Sequence, residues 1–213
     1  MDIQSPINIQ DAIRATSQLP LRLKWCGTSG FLLRGEHGAQ VVFPQPNGNT
    51  ATLATKEYVL RQFHFHHPSE HFLGGKQFDG ELHLVHQDLR DCSYFVLGIF
   101  LSVIENSDGN RAKNAFFDAL LHDQFSDIPT NPNDLIPAGV DTAYRYQGSL
   151  TTPPYSETVS WVLLKEPLAI PRSLFGKIFG TESDGIEGKS KMPAARPLQP
   201  SNGRFIIEHK FKF

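Results

Sequence analysis

Short apolar and β-branched runs recur along the chain, separated by Gly, Pro and Asn turns: Leu21 to Trp25, Phe31 to Leu33, Ala39 to Phe43, Tyr58 to His66, Glu81 to Gln87, Tyr94 to Val103, Thr158 to Leu164 and Arg204 to Glu208. Runs of this length between turn signals predict strands, and their number predicts a mainly β, sheet-dominated protein. Helical periodicity is rare. Residues Asn110 to His122 place Ala112, Phe116, Ala119 and Leu120 on one helical face, and Arg172 to Phe179 follow Pro171 in the manner of a short helix start. Both are expected to be surface helices packed on the sheet. The Pro- and Asn-rich stretch from Phe125 to Gly139 fits neither period and is expected to be an ordered loop, because strand-like segments that need partners lie on both sides of it. No internal repeat is evident, which argues against solenoids and propellers.

The pattern becomes chemically informative between His64 and His86, where six of the nine histidines fall, five of them inside QFHFHH and ELHLVH. Alternate side chains of a strand share a face, so Gln62, His64 and His66 point one way while Phe63 and Phe65 point the other. Glu81, His83 and Val85 share a face of the second segment for the same reason. If the two strands are neighbours, joined by the excursion through Pro68, Gly74, Gly75 and Gly80, three imidazoles converge. Zn²⁺ suits such a site: it binds neutral imidazole nitrogen, takes four ligands, and with three from the protein keeps one position open. A structural zinc site would close that position, commonly with cysteine, and neither cysteine is near the cluster in sequence. Gln62 and Glu81, each two residues before a histidine on the same face, are placed to accept the other ring N–H of His64 and His83.

Composition narrows the partners. With 213 residues, 39% hydrophobic, the chain can bury a sizeable core, and no linker divides it into blocks, so one domain over 1–213 is expected. The net charge of -2 and scattered Lys and Arg give no electrostatic footprint for nucleic acid or an anionic membrane. The longest apolar run, Tyr94 to Ile104, has about half the length of a membrane span, and the chain opens without a basic and then apolar leader. The two cysteines, Cys26 and Cys92, match neither a zinc ribbon nor a redox pair, leaving two buried thiols or a single disulfide as the readings.

Several motifs in order carry a resemblance: QSPINI at Gln4, QFHFHHPSEH at Gln62, ELHLVH at Glu81, VLGIF at Val96, YQGSLTTPP at Tyr146, WVLLKEP at Trp161 and RPLQP at Arg196. Together they resemble an α-class carbonic anhydrase of the compact bacterial kind. The resemblance implies a large, mostly antiparallel, twisted central sheet with a few short surface helices, and a zinc lyase (carbonate dehydratase) that interconverts carbon dioxide and bicarbonate. It implies His64, His66 and His83 as ligands of Zn²⁺, with Gln62 and Glu81 as their hydrogen-bonding partners and His71 and Tyr146 in a supporting network. Thr151 resembles the threonine that accepts from the zinc-bound nucleophile and donates to Glu70. Thr152 matches a position beside the substrate, and Val85, Val96, Leu150, Val159 and Trp161 resemble the apolar wall where carbon dioxide rests. His37 aligns with the family's proton-shuttle histidine, a role that suits a side chain titrating near neutrality. Inhibition by sulfonamides and small anions, and a monomer or homodimer, are also implied.

Departures from the family pattern are visible too. The segment ahead of the QSP motif is shorter than usual for the family. Tyr155 and Ser156 stand where bacterial relatives often carry a disulfide-bonded cysteine, and Ala194 and Ala195 where Asn and Trp are common. A missing leader and missing bridge point toward the cytoplasm, and the bacterial resemblance toward the periplasm if a leader was removed. Two rival readings compete with this one. A cupin metal site would use the HxHxxxE set His64, His66 and Glu70, but Tyr58 occupies the place of its expected glycine and no PxGxxH motif follows. A noncatalytic binding module on the same fold would be expected to have lost ligands.

Overall fold

The computed structural model of the chain describes residues 2–35, 38–105, 127–179 and 195–211. Its strands are β1 (Asn8–Ile9), β2 (Ile13–Arg14), β3 (Leu21–Lys24), β4 (Thr28–Gly35), β5 (Gly38–Val42), β6 (Thr50–Leu53), β7 (Lys56–His66), β8 (Phe72–Leu73), β9 (Gly80–Gln87), β10 (Tyr94–Ile104), β11 (Ile128–Thr130), β12 (Thr142–Gly148), β13 (Val159–Pro171) and β14 (Ile207–Lys210). Twelve of them form one sheet in the order β11-β4-β5-β7-β9-β10-β13-β12-β14-β2, with β6 beside β7 and β3 beside β6. Pairing is chiefly antiparallel, with a parallel seam where β10 meets β13 and a second where β14 meets β2. Seven of the eight expected segments lie in strands to within a residue at each end, the eighth, Arg204 to Glu208, is strand only from Ile207, and Arg172–Phe179 is the expected helix. The expected helix over Asn110 to His122 lies outside the described residues.

The sheet buries apolar side chains on both faces. One face carries the larger core, with Leu32, Val41, Phe63, Leu84, Leu97 and Val162 in neighbouring strands, and Leu174, Phe175 and Ile178 of the helix cover it. The opposite face carries a second cluster around Val85, Val96, Tyr146, Val159 and Trp161. A side chain's face therefore decides whether it joins the larger core or the histidine site. Opposite Pro167, which has no N–H to give, the β10–β13 register slips between Ile99 and Leu101.

Two expectations are corrected. The Phe125 to Gly139 stretch is not all loop: Ile128–Thr130 forms β11 against β4, and Pro132–Leu135 makes a 3-10 turn capped by Asn131. Its pairing partner lies about a hundred residues upstream, and Pro129 hides any local strand signal. Both cysteines are exposed free thiols, neither buried nor bridged. Each sits in a turn: the Cys26 N–H donates to Asn49 Oδ1, and Cys92 adopts φ 58° while donating to the Asp88 carbonyl.

Candidate metal centre

β7 and β9 are antiparallel neighbours, and His64 lies directly opposite His83. His66 follows two residues on, so all three rings stand on one face, with centroids 4.6 to 5.1 Å apart. His64 Nε2 and His83 Nδ1 are 3.3 Å apart. A tetrahedral zinc with bonds of about 2.05 Å needs nitrogens about 3.3 Å apart, so this pair fits. His66 Nε2 is buried without a hydrogen-bond partner, and Glu70 Oε2 lies 3.4 Å from it. A buried imidazole nitrogen left bare costs free energy unless something takes its lone pair. Burial, together with His83 beside it, holds the His66 pKa well below the usual histidine value, which keeps the ring in the ligand form. The three nitrogens therefore fit a metal ion.

The other ring nitrogens of His64 and His83 are spoken for, which settles those two tautomers. His64 Nδ1–H donates to Gln62 Oε1 at 2.9 Å, leaving Nε2 without a proton. His83 Nε2–H donates to Glu81 Oε1 at 2.7 Å, leaving Nδ1 bare. Glu81 Oε1 also accepts from His71 Nδ1–H at 2.7 Å, and Oε2 accepts the backbone N–H groups of Glu70 and His71 at 3.0 and 2.8 Å. Burial alone would raise the Glu81 carboxyl, but the His71 and His83 imidazoles and their hydrogen bonds outweigh it and hold it well below the usual range.

Direction can be traced further outward. With His71 Nδ1 donating, its Nε2 must accept, and Tyr146 Oη donates to it at 2.6 Å. Tyr146 Oη then accepts from Ser5 Oγ at 2.9 Å, and Ser5 Oγ accepts the Ser149 N–H at 3.1 Å. A fixed backbone donor thus sets a one-way series of protons ending at Glu81 Oε1, which also accepts from His83. The set His71, Glu81 and His83 also has metal-like spacing, but its donors are already bonded to one carboxylate. Gly148 must lack a side chain for this arrangement, since a Cβ there would stand 2.2 Å from Ser5 Oγ.

Glu70, buried at 3% exposure, accepts the Arg196 N–H at 3.1 Å and a hydrogen bond from Thr151. Its burial raises the carboxyl pKa, against the pull of His83 and of these bonds. Thr151 is buried and Thr152 half-buried at the same end. Val85, Val96, Val159 and Trp161 form one apolar surface with Leu150 packed on its rim, and the Trp161 ring meets His83 edge-on at 4.9 Å. The expected site residues that are described thus come together. His37 lies outside the described residues. Sequence reasoning gave no role to Ser5, Ser149, Arg196 or Gln40. The first three sit in the quoted QSP, YQGSLTTPP and RPLQP strings, and Gln40, the cross-strand partner of His64, had alternation along β5 as its only signal.

A twisted sheet presenting three imidazoles on one face, each oriented by a partner or by burial, offers a ligand set that could hold a metal ion. The profile of the eukaryotic-type carbonic anhydrases matches residues 1–210. The chain is 36% identical to carbonic anhydrase 7 of Homo sapiens, over 96% of this chain and 88% of that protein. It is 34% identical to a carbonic anhydrase of Klebsiella pneumoniae, over 96% and 79% respectively. Among solved structures, the α-carbonic anhydrase of Thermovibrio ammonificans in complex with the inhibitor sulfanilamide superposes with a TM-score of 0.79 at 31% identity, covering 96% of this chain and 86% of the other. The chain belongs to the α-class carbonic anhydrase family, a family of lyases.

Proposed function

We propose that the protein catalyses the reversible hydration of carbon dioxide to bicarbonate and a proton, with Zn²⁺ held by His64 Nε2, His66 Nε2 and His83 Nδ1, the whole of 1–213 acting as one domain. The convergence of three imidazole nitrogens on one face carries this reading. Bound there, Zn²⁺ supplies Lewis acidity and a water acidic enough to lose its proton near neutral pH, an effect for which carbonic anhydrase is the standard example.

The chain's own residues supply the rest. Gln62 and Glu81 fix the tautomers of His64 and His83, and His71 and Tyr146 support Glu81. Thr151 donates its one hydroxyl proton to Glu70, so its oxygen is left to accept from the nucleophile, which turns a lone pair toward the substrate. Glu70 in this role orients and does not act as a base. Carbon dioxide has no net dipole and suits the apolar surface of Val85, Val96, Leu150, Val159 and Trp161, with Thr152 beside it. His37 is proposed to pass the product proton to buffer. Sulfonamides and small anions are the expected inhibitors, and a monomer or homodimer the expected state. No helix among the described residues is long and apolar enough to cross a membrane.

Stopped-flow carbon dioxide hydration, with metal content measured before and after chelation, tests the proposal. Activity should fall with zinc content and return on reloading. Turnover that survives complete zinc removal overturns the mechanism.

A further inference from the structure

Arg196 stands behind Glu70 and the turn that follows β12. Its backbone N–H donates to Glu70 Oε1 at 3.1 Å, on the carboxylate that also accepts from Thr151. Its guanidinium donates to the Ser5 carbonyl and lies over the ring of Tyr155, with Cζ 3.9 Å from the ring centroid. Ser5 itself belongs to the series of hydrogen bonds that runs through Tyr146 and His71 to Glu81. One arginine therefore touches both hydrogen-bonded systems behind the histidines, with its main chain on one and its side chain on the other. Arg196 and Tyr155 are both half-buried, where a cation over an aromatic face gains more than it does in open water.

The backbone at Tyr155 adds a second observation. Its φ is 60°, in the left-handed region that suits glycine or asparagine and strains a bulky side chain. The ring is not what closes the turn. The Tyr155 N–H donates to the Thr152 carbonyl at 2.9 Å, and the Leu150 N–H to the Ser156 carbonyl at 3.0 Å. The Ile3 N–H and Gln4 Nε2 donate to Glu157 Oε1, and Gln4 Nε2 also to the Tyr155 carbonyl, which ties the turn to the N-terminal segment. All of these bonds use main chain or other side chains. A strained aromatic residue that lends its ring to none of them points to a role for the ring itself, and that ring carries Arg196.

We propose that Tyr155 is a positioning residue for the hydration reaction: its ring face holds the Arg196 guanidinium, and Arg196 in turn holds Glu70 toward Thr151. The proposal rests on the carbon dioxide reading for its kinetic consequence alone. With the ring in place the guanidinium stays on the Ser5 carbonyl, the Arg196 N–H stays on Glu70 Oε1, and the carboxylate keeps one orientation toward the Thr151 hydroxyl. Without the ring the guanidinium turns to water, and the N–H that fixes Glu70 loosens with it. The contact uses the ring face, so the phenol hydroxyl is dispensable to it.

Two variants at this one position test the proposal. Tyr155→Asn removes the ring and leaves a residue at ease with positive φ, and Tyr155→Phe removes the hydroxyl alone. In the metal-free protein, hydrogen exchange of the Arg196 amide followed by NMR should quicken about three- to tenfold in Tyr155→Asn and stay within about twofold of wild type in Tyr155→Phe. The urea midpoint of both should match wild type, relief of strain offsetting the lost contact in the first. In the zinc-loaded protein, kcat/KM for carbon dioxide should fall about three- to tenfold in Tyr155→Asn, the worth of one weakened hydrogen bond, and hold in Tyr155→Phe. An Arg196 amide that exchanges at the wild-type rate in Tyr155→Asn overturns the proposal. So does quickened exchange with kcat/KM unchanged, which would leave the contact structural only. Equal impairment of Tyr155→Phe would move the effect to the hydroxyl, and a urea midpoint that drops with the activity would make it a loss of fold; either outcome overturns the positioning role. A zinc-loaded wild type that fails to hydrate carbon dioxide overturns the reaction reading, and the positioning role falls with it.

Discussion

Glu81 accepts four hydrogen bonds, two on each carboxylate oxygen, and donates none. A glutamine there must turn its NH₂ toward either the two imidazoles or the two backbone N–H groups, and both already donate. Glu81→Gln is therefore expected to weaken zinc retention by about 10 to 100-fold, the usual cost of losing a partner behind a metal-bound histidine. The zinc dissociation rate into a chromogenic chelator measures it; retention within twofold of wild type would show that His83 does not need this carboxylate. Gln62 does a similar service for His64 as a neutral amide, with a single bond and a half-buried ring. Its removal should cost less.

At the scale of elements, β12 shows how narrowly backbone spacing constrains the site. A Cβ on Gly148 would stand 2.2 Å from Ser5 Oγ, 2.9 Å from Tyr146 Cε2 and 3.1 Å from Trp161 Cδ1. Gly148→Ala should destabilise the protein by about 1 to 3 kcal/mol, as forced overpacking does, measured as a lower urea midpoint at unchanged m. An unchanged midpoint would mean the segment around Ser5 yields freely. The histidine strands were legible in sequence because alternation in QFHFHH and ELHLVH puts the metal-facing set and the core set on opposite faces, which is local information. β12 was missed: it is buried on both faces along most of its length, so TAYRYQG shows no clean alternation. β1, β2 and β8 are two residues each, too short for any period, and β6 is mostly small residues. The parallel β10–β13 seam and the bond from Ser5 to Tyr146, 141 residues apart in the chain, depend on tertiary packing that no local pattern encodes.

For the molecule as a whole, acid stability hinges partly on a histidine away from the metal-facing side. His86 is fully buried in the turn-ward half of β9, stacked on Trp25, with Nδ1 bonded to the Leu84 carbonyl and Nε2 unpartnered. Burial pushes its pKa down to about 3. The unfolded chain takes up this proton near pH 6.5, well before the folded one does. Stability is whole above that value and falls by about 1.4 kcal/mol per pH unit as the pH drops toward 3. Between pH 7.5 and 5, metal-free His86→Phe should lose about 2 kcal/mol less than metal-free wild type in urea titrations, and equal losses would mean the ring protonates without unfolding.

Among the described residues the great sheet does not close on itself, so it has loose borders. β11 ends one side with Pro129 at its middle, β2 ends the other after two residues, and β3 bounds the side branch with the exposed charges of Arg22 and Lys24. None of these borders offers a long, uncharged row of free amides to a foreign strand. A protein built around so wide a sheet thereby gives its own copies few places along these borders to add a strand.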